Sequence, residues 1–164
     1  MMSVEDILGY IKSAKPRYIG LNIFTQNYSI VKHIVENASF NGNVFIGGQA
    51  VKFMYDDILT WNCQNKCDII IGEGEYIIPA LCKRECQEQP IKVAGNKRVF
   101  RVTKDSKYFP ADISCEGLNR RFLHDELTIN HYGEKEAAII TSRGCLYDCA
   151  FCGGARSLNG DVAP

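Results

Sequence analysis

Neither sign of charge prevails in this chain: nineteen lysines and arginines meet nineteen aspartates and glutamates, for a formal net charge of +0. That balance excludes the basic footprint expected of a nucleic-acid binder or of a protein held on an anionic membrane. Long apolar runs are also missing. Ile69 to Ile71 and Ala137 to Ile140 are typical, and both are far too short to span a bilayer. The amino terminus, MMSVEDILGYIKSAKP, carries acids early and lacks the apolar stretch of a secretion signal, so a cytoplasmic protein is expected. What the chain does have is apolar material, 46% of 164 residues, enough for one globular domain with a core and a piece of another. It also has eight cysteines. In a reducing compartment, clustered thiols more often hold metal or do redox work than form disulfides, which makes their spacing the informative quantity.

Apolar periodicity divides the first ninety residues into alternating elements. Ser3 to Ala14 has helical spacing in Val4, Ile7, Leu8 and Ile11, with Ser3 placed to cap and Glu5 and Asp6 in the first turn, where the helix dipole favours acids. Lys15-Pro16 ends it. Tyr18 to Phe24 is a short apolar run of the kind found in a strand covered on both faces, and Tyr28 to Ala38 returns to helical spacing. Asn43 to Ile46 is a second strand, ended by Gly47-Gly48. A helix over Phe53 to Trp61 leads to a third strand at Asp68 to Ile71, closed by Gly72-Glu73-Gly74-Glu75, and Tyr76 to Gln87 is the next helix. Strands too apolar to face water, alternating with helices, predict parallel βαβ units in a layered α/β domain. Right-handed crossovers would then bring the segments 25–27, 47–48 and 72–75 to one sheet edge, the edge at which open parallel sheets bind ligands.

After Pro90 the pattern changes. IKVAGNKRVFRVTK alternates around Gly95-Asn96 as a hairpin does, and residues 105–135 have no lasting period, apart from a helical turn expected near Leu118 to Leu127. Ala137 to Thr141 is a fresh strand that runs directly into TSRGCLYDCAFCGG. The domain division expected is therefore 1–90 for the α/β unit, 91–136 for hairpin and linker, and 137–164 for the start of a further domain.

Cys145, Cys149 and Cys152 follow C-x3-C-x2-C, a spacing that lets three thiolates on one loop wrap a corner of an iron–sulfur cluster and leave one iron open to a second molecule. A zinc knuckle is the alternative, although zinc prefers paired C-x2-C units with a fourth ligand. Gly144-Cys145, Cys149 and an aromatic, Phe151, directly before Cys152 resemble the cluster motif of radical S-adenosylmethionine enzymes. The resemblance implies a 4Fe–4S cluster on the three cysteines, S-adenosyl-L-methionine on the open iron, Phe151 shielding the pair, and an external electron donor of the flavodoxin or ferredoxin type. Upstream, the segments IGLNIFT, FIGG and IIIGEGE resemble the cobalamin-binding domain that precedes the barrel in one radical SAM subgroup. The implied fold is an incomplete flavodoxin-like or Rossmann-like parallel sheet, a linker, and the first strand of a radical SAM (β/α) barrel. The implied cobalamin contacts are Asn22 and Thr25 on the first loop, Gly47 and Gly48 along the nucleotide tail, and Gly72, Glu73 and Gly74 on the third loop. Where the family commonly has S-x-L, this chain reads Asn22-Ile23-Phe24, and the D-x-H-x-x-G motif with its cobalt-ligating histidine is absent.

The function implied is methyl transfer or related radical chemistry on an unidentified small molecule or peptide, as part of a longer enzyme, with this segment inactive by itself. A scaffold or substrate-recognition module that has lost corrin binding is the alternative, and a small metalloprotein complete in itself is a third. Cys63-x3-Cys67 and Cys82-x3-Cys86 are expected to be ordinary free thiols, the second pair on one helix face, and Cys115 incidental. His33, His124 and His131 are expected to be surface or packing residues, Tyr28, Tyr55 and Trp61 core more than corrin cover, and Arg143 either a carboxylate contact or a solvated side chain.

Overall fold

The computed structural model describes residues 2–112, 132–136 and 147–152. The first helix, α1 (Val4–Ala14), starts from a capping box: the Ser3 hydroxyl accepts from the Asp6 amide at 3.1 Å, and the Asp6 carboxylate accepts from the Ser3 amide at 2.9 Å. The Ser3 amide foremost, and then the Ser3 hydroxyl, which donates to the same carboxylate at 2.8 Å, hold the Asp6 carboxyl below its ordinary 3.8. A carboxyl lowered in the folded state stabilises fully above about pH 4 and loses that contribution as the pH falls through its folded value. Circular dichroism from about pH 5 to pH 2 is therefore expected to show an acid-dependent loss of helix signal that Asp6→Ala reduces. An unchanged acid limb in the variant would contradict this role for the cap.

The remaining elements alternate as the apolar pattern predicts: β1 (Tyr18–Asn22), a 3₁₀ turn at Thr25–Asn27, α2 (Tyr28–Asn37), β2 (Asn43–Gly47), α3 (Val51–Ile58), β3 (Lys66–Ile71), α4 (Ile77–Lys83), β4 (Lys92–Ala94) and β5 (Lys97–Arg101). They form one five-stranded sheet in the order β1-β2-β3-β5-β4, parallel except for the β4 edge. Successive side chains of β2, β3 and β5 alternate between two faces, each covered by helices. On one face Val44, Ile46, Cys67, Ile69, Ile71 and Val99 meet α2 and α3 through Val31, Val35, Val51 and Ile58. Ile11 of α1 packs beside Ile34 of α2 and Ala38 just after it, against Ile19 and Leu21. On the other face Phe45, Ile70 and Phe100 meet Ile77 and Leu81 of α4. One polar side chain lies inside that layer: Asp68, 0% exposed, accepts from Arg98 Nε at 2.8 Å and from Nη2 at 3.0 Å.

The structure departs from the sequence reading in four places. The hairpin does not follow the α/β unit but joins it, because β5 pairs in parallel with β3 from Cys67↔Lys97 to Ile71↔Arg101. The stretch after residue 105 is not all linker: Tyr108 is 7% exposed, packs with α4 and accepts the Gln87 amide through its hydroxyl at 2.9 Å. Helix α4 stops at Lys83, where Arg84 turns left-handed at φ 63, so Cys86 lies beyond the helix and does not share a helical face with Cys82. Strand β1 stops at Asn22, which leaves Phe24 outside the sheet and 41% exposed. The strand expected at 137–141 and the turn expected at 118–127 lie outside the described residues.

Candidate functional site

The carboxyl ends of β1, β2 and β3 stand side by side, because Asn22 pairs with Gly47 and Ile46 with Ile69. Asn22 and Gly47 end β1 and β2, and the three loops that follow the strands contain Thr25, Gly48, Gly72, Glu73 and Gly74, so the residues singled out by resemblance in the first ninety positions gather at one edge.

The first two loops touch. Ile23 donates its amide to the Gly47 carbonyl at 2.8 Å, and Gly48, at φ +108, lies so close that a Cβ there would stand 2.0 Å from Asn22 Oδ1 and 2.7 Å from the Ile23 carbonyl oxygen. Such a φ is a backbone conformation for glycine, and this contact leaves no room for a larger residue. Gly47 is the opposite case: a Cβ built on it meets nothing within 4 Å. Among the described residues no packing requires glycine there, and the bare backbone leaves an open path along the end of β2. A residue that the sequence reading passed over, Asn27, ties the first loop down. Its Oδ1 accepts the Phe24 amide at 2.7 Å, and its Nδ2 donates to the Asn22 carbonyl at 2.9 Å. Asparagine just before a helix is the signal that could have identified it, since its amide competes for nearby backbone groups.

The third loop leads into α4, whose first-turn bond runs from the Ile78 amide to the Gly74 carbonyl at 3.0 Å. Glu73 and Glu75 are half-buried and precede the helix, so neither lies in its first turn. Thr25 is exposed at the start of the 3₁₀ turn. Phe24 and Tyr76, each 41% exposed, add aromatic surface after β1 and before α4. Tyr28 and Trp61 belong elsewhere, as expected. Trp61 is 1% exposed, its ring meets Tyr28 edge-on at 5.4 Å, and its Nε1 donates to Asp57 at 3.1 Å. Asp57 also accepts from the Tyr28 hydroxyl, a bond that raises the Tyr28 pKa and lowers that of Asp57. Tyr55 is half-buried against the same core.

These features fit a large flat cofactor with a trailing tail. The edge provides an unobstructed glycine, polar loop groups and exposed rings. It provides no histidine, because His33, the one histidine among the described residues, lies on α2.

Of the cluster cysteines, Cys149 and Cys152 are described and exposed, and the Cys152 amide donates to the Cys149 carbonyl at 3.0 Å, which closes the turn between them. Cys145 lies outside the described residues, as do Cys115, His124, His131 and Arg143. Phe151 is 93% exposed among the described residues. Cys63 and Cys67 are buried neighbours: Cys67 hydrogen-bonds Cys63, which lowers the Cys63 pKa and, together with burial, raises that of Cys67. Among the described residues no three metal-binding side chains converge.

Comparison with the curated proteins and with the solved structures gave no match. The family model for the B12 binding domain matches residues 1–82, which span α1 to α4 nearly to its end and include all three strand-end loops. That match covers half of the 164 residues, and on it the chain belongs to the B12 binding domain family.

Proposed function

We propose that the carboxyl edge of the sheet binds cobalamin and that the protein serves as the corrinoid-binding part of a radical SAM enzyme whose chemistry is methyl transfer or a related radical reaction. The carrying observation is the pairing of two glycines with opposite demands: Gly48 is required by the contact with Asn22 and Ile23, whereas Gly47 is required by no contact among the described residues. Gly47 then provides backbone along which a nucleotide tail can run. Asn22, Thr25, Gly72, Glu73 and Gly74 supply polar groups around it, and Phe24 and Tyr76 exclude water from an apolar ring. When bound, cobalamin supplies alkyl-transfer chemistry at cobalt, and the chain's residues hold it and limit solvent access. Cys145, Cys149 and Cys152 would hold the 4Fe–4S cluster that binds S-adenosyl-L-methionine, with electrons from a flavodoxin- or ferredoxin-type donor.

Aquocobalamin added to the purified chain is expected to co-elute with it in gel filtration and to shift in visible absorbance. Gly47→Ala is expected to weaken that binding at least about tenfold, with an unchanged unfolding midpoint because the new methyl meets open space. A variant that binds as well as the parent would remove the support that Gly47 gives. The second reading, a scaffold that has lost corrin binding, is favoured by the placement of His33 on α2 rather than on a loop. It predicts a chain that stays colourless with aquocobalamin.

A further inference from the structure

At the opposite end of the strands from the cobalamin loops lies a cavity of about 700 Å3, on the face that α4 covers. Its floor is made where strands begin: Arg17 and Tyr18 at β1, Asn43 at β2, Lys66 at β3 and Arg98 in β5. The size is that of a small-molecule site, well above what a bare ion fills.

The charge of this cavity is one-sided. Arg98 is neutralised by Asp68. Arg17, Lys66 and Arg84 form no ion pair among the described residues, and the described lining contains a single carboxylate, Glu88, which accepts from the Ser106 hydroxyl at 3.2 Å. Three cations thus converge on one concavity in a chain whose overall charge is zero. The backbone adds an independent sign. Arg84 follows α4 in the left-handed region, at φ 63 and ψ 28, a position where glycine is the least strained residue. An arginine there gives up local stability and places a guanidinium on the rim.

The walls are aromatic. The Tyr18 hydroxyl donates to the Cys82 carbonyl at 2.9 Å, which fixes its ring against α4, and the Arg17 guanidinium lies 5.4 Å from the ring centroid. Phe40 and Phe100 also line the space. Planar guanidinium groups match phosphate oxygens in pairs, and flat apolar walls suit a ring.

We propose that this cavity binds a phosphorylated small molecule of up to nucleotide size, at a site separate from the cobalamin edge. The test is calorimetric titration of the full 164-residue chain with pyrophosphate and with adenosine 5′-diphosphate, in low salt and again with sulfate as competitor. Saturable binding of at least one probe is expected, with sulfate a weak competitor. Arg84→Gly removes a cation and relaxes the left-handed turn, so its thermal midpoint is expected to equal or exceed that of the parent while affinity falls at least about tenfold. Lys66→Gln is expected to weaken binding in the same direction. The proposal is overturned if the parent gives no saturable signal with either probe, if both variants bind as the parent does, or if sulfate displaces the probes at equal concentration.

Discussion

Arg98→Ala is expected to lower the unfolding free energy by about 3–5 kcal/mol, the range for leaving a buried charge without its partner. The two ends of the pair are unequal. Asp68 is 0% exposed in the middle of β3, whereas the Arg98 side chain is 29% exposed, so the arginine reaches water and the carboxylate does not. Removing Arg98 takes both of its donors, at 2.8 and 3.0 Å, from the carboxylate in a layer otherwise made of Phe45, Ile70 and Phe100. Asp68→Ala is expected to cost less, because the arginine left behind can turn outward. A double replacement by apolar residues of similar volume should recover most of the loss, since a well-packed apolar pair there needs no compensation. Urea denaturation of the three variants checks the order. A loss below about 1 kcal/mol for Arg98→Ala would mean that Asp68 finds another donor.

Gly48→Ala is expected to be nearly as damaging and to act on both stability and cobalamin. The methyl would stand 2.7 Å from the Ile23 carbonyl oxygen and 2.9 Å from its nitrogen. The Asn22 side chain, at 2.0 Å, can swing aside, but the two backbone atoms cannot move without opening the contact between the first and second loops. To this is added the strain of a non-glycine residue at φ +108, of order 1–3 kcal/mol. A total loss of about 3 kcal/mol is expected from thermal or urea unfolding, together with loss of cobalamin co-elution. Gly47→Ala separates the two effects, because its methyl meets open space and is expected to impair the ligand alone. If Gly48→Ala folded and bound as the parent does, the two loops would not need the contact seen between them.

Much of this was legible in the sequence, and the reasons differ by element. The parallel core from β1 to β3 is written in short apolar runs closed by turn residues, and Gly47-Gly48 stood out through the resemblance to the cobalamin-binding domain. The position of β5 was not legible, since Val99 and Phe100 look alike in a free hairpin and in a sheet; only pairing with β3, some thirty residues away, decides between them. The end of α4 was misplaced because the stop comes from Arg84 in a left-handed turn, where the usual glycine signal is missing. The cavity was invisible for a related reason: its three unpaired cations, Arg17, Lys66 and Arg84, come from three separate segments of chain that only the completed sheet brings together.

Among the described residues strand β1 is the margin of the sheet, paired on one side by β2, whereas β2 and β3 are clamped on both. The carboxyl edge is therefore graded in firmness. Its second and third loops spring from anchored beams and its first from a ledge, so the grip of Asn27 and the close seat of Gly48 substitute for the neighbour that β1 does without. Heat will loosen the molecule from this corner inward, and a tail lying across Gly47 would act as a strap over the ledge.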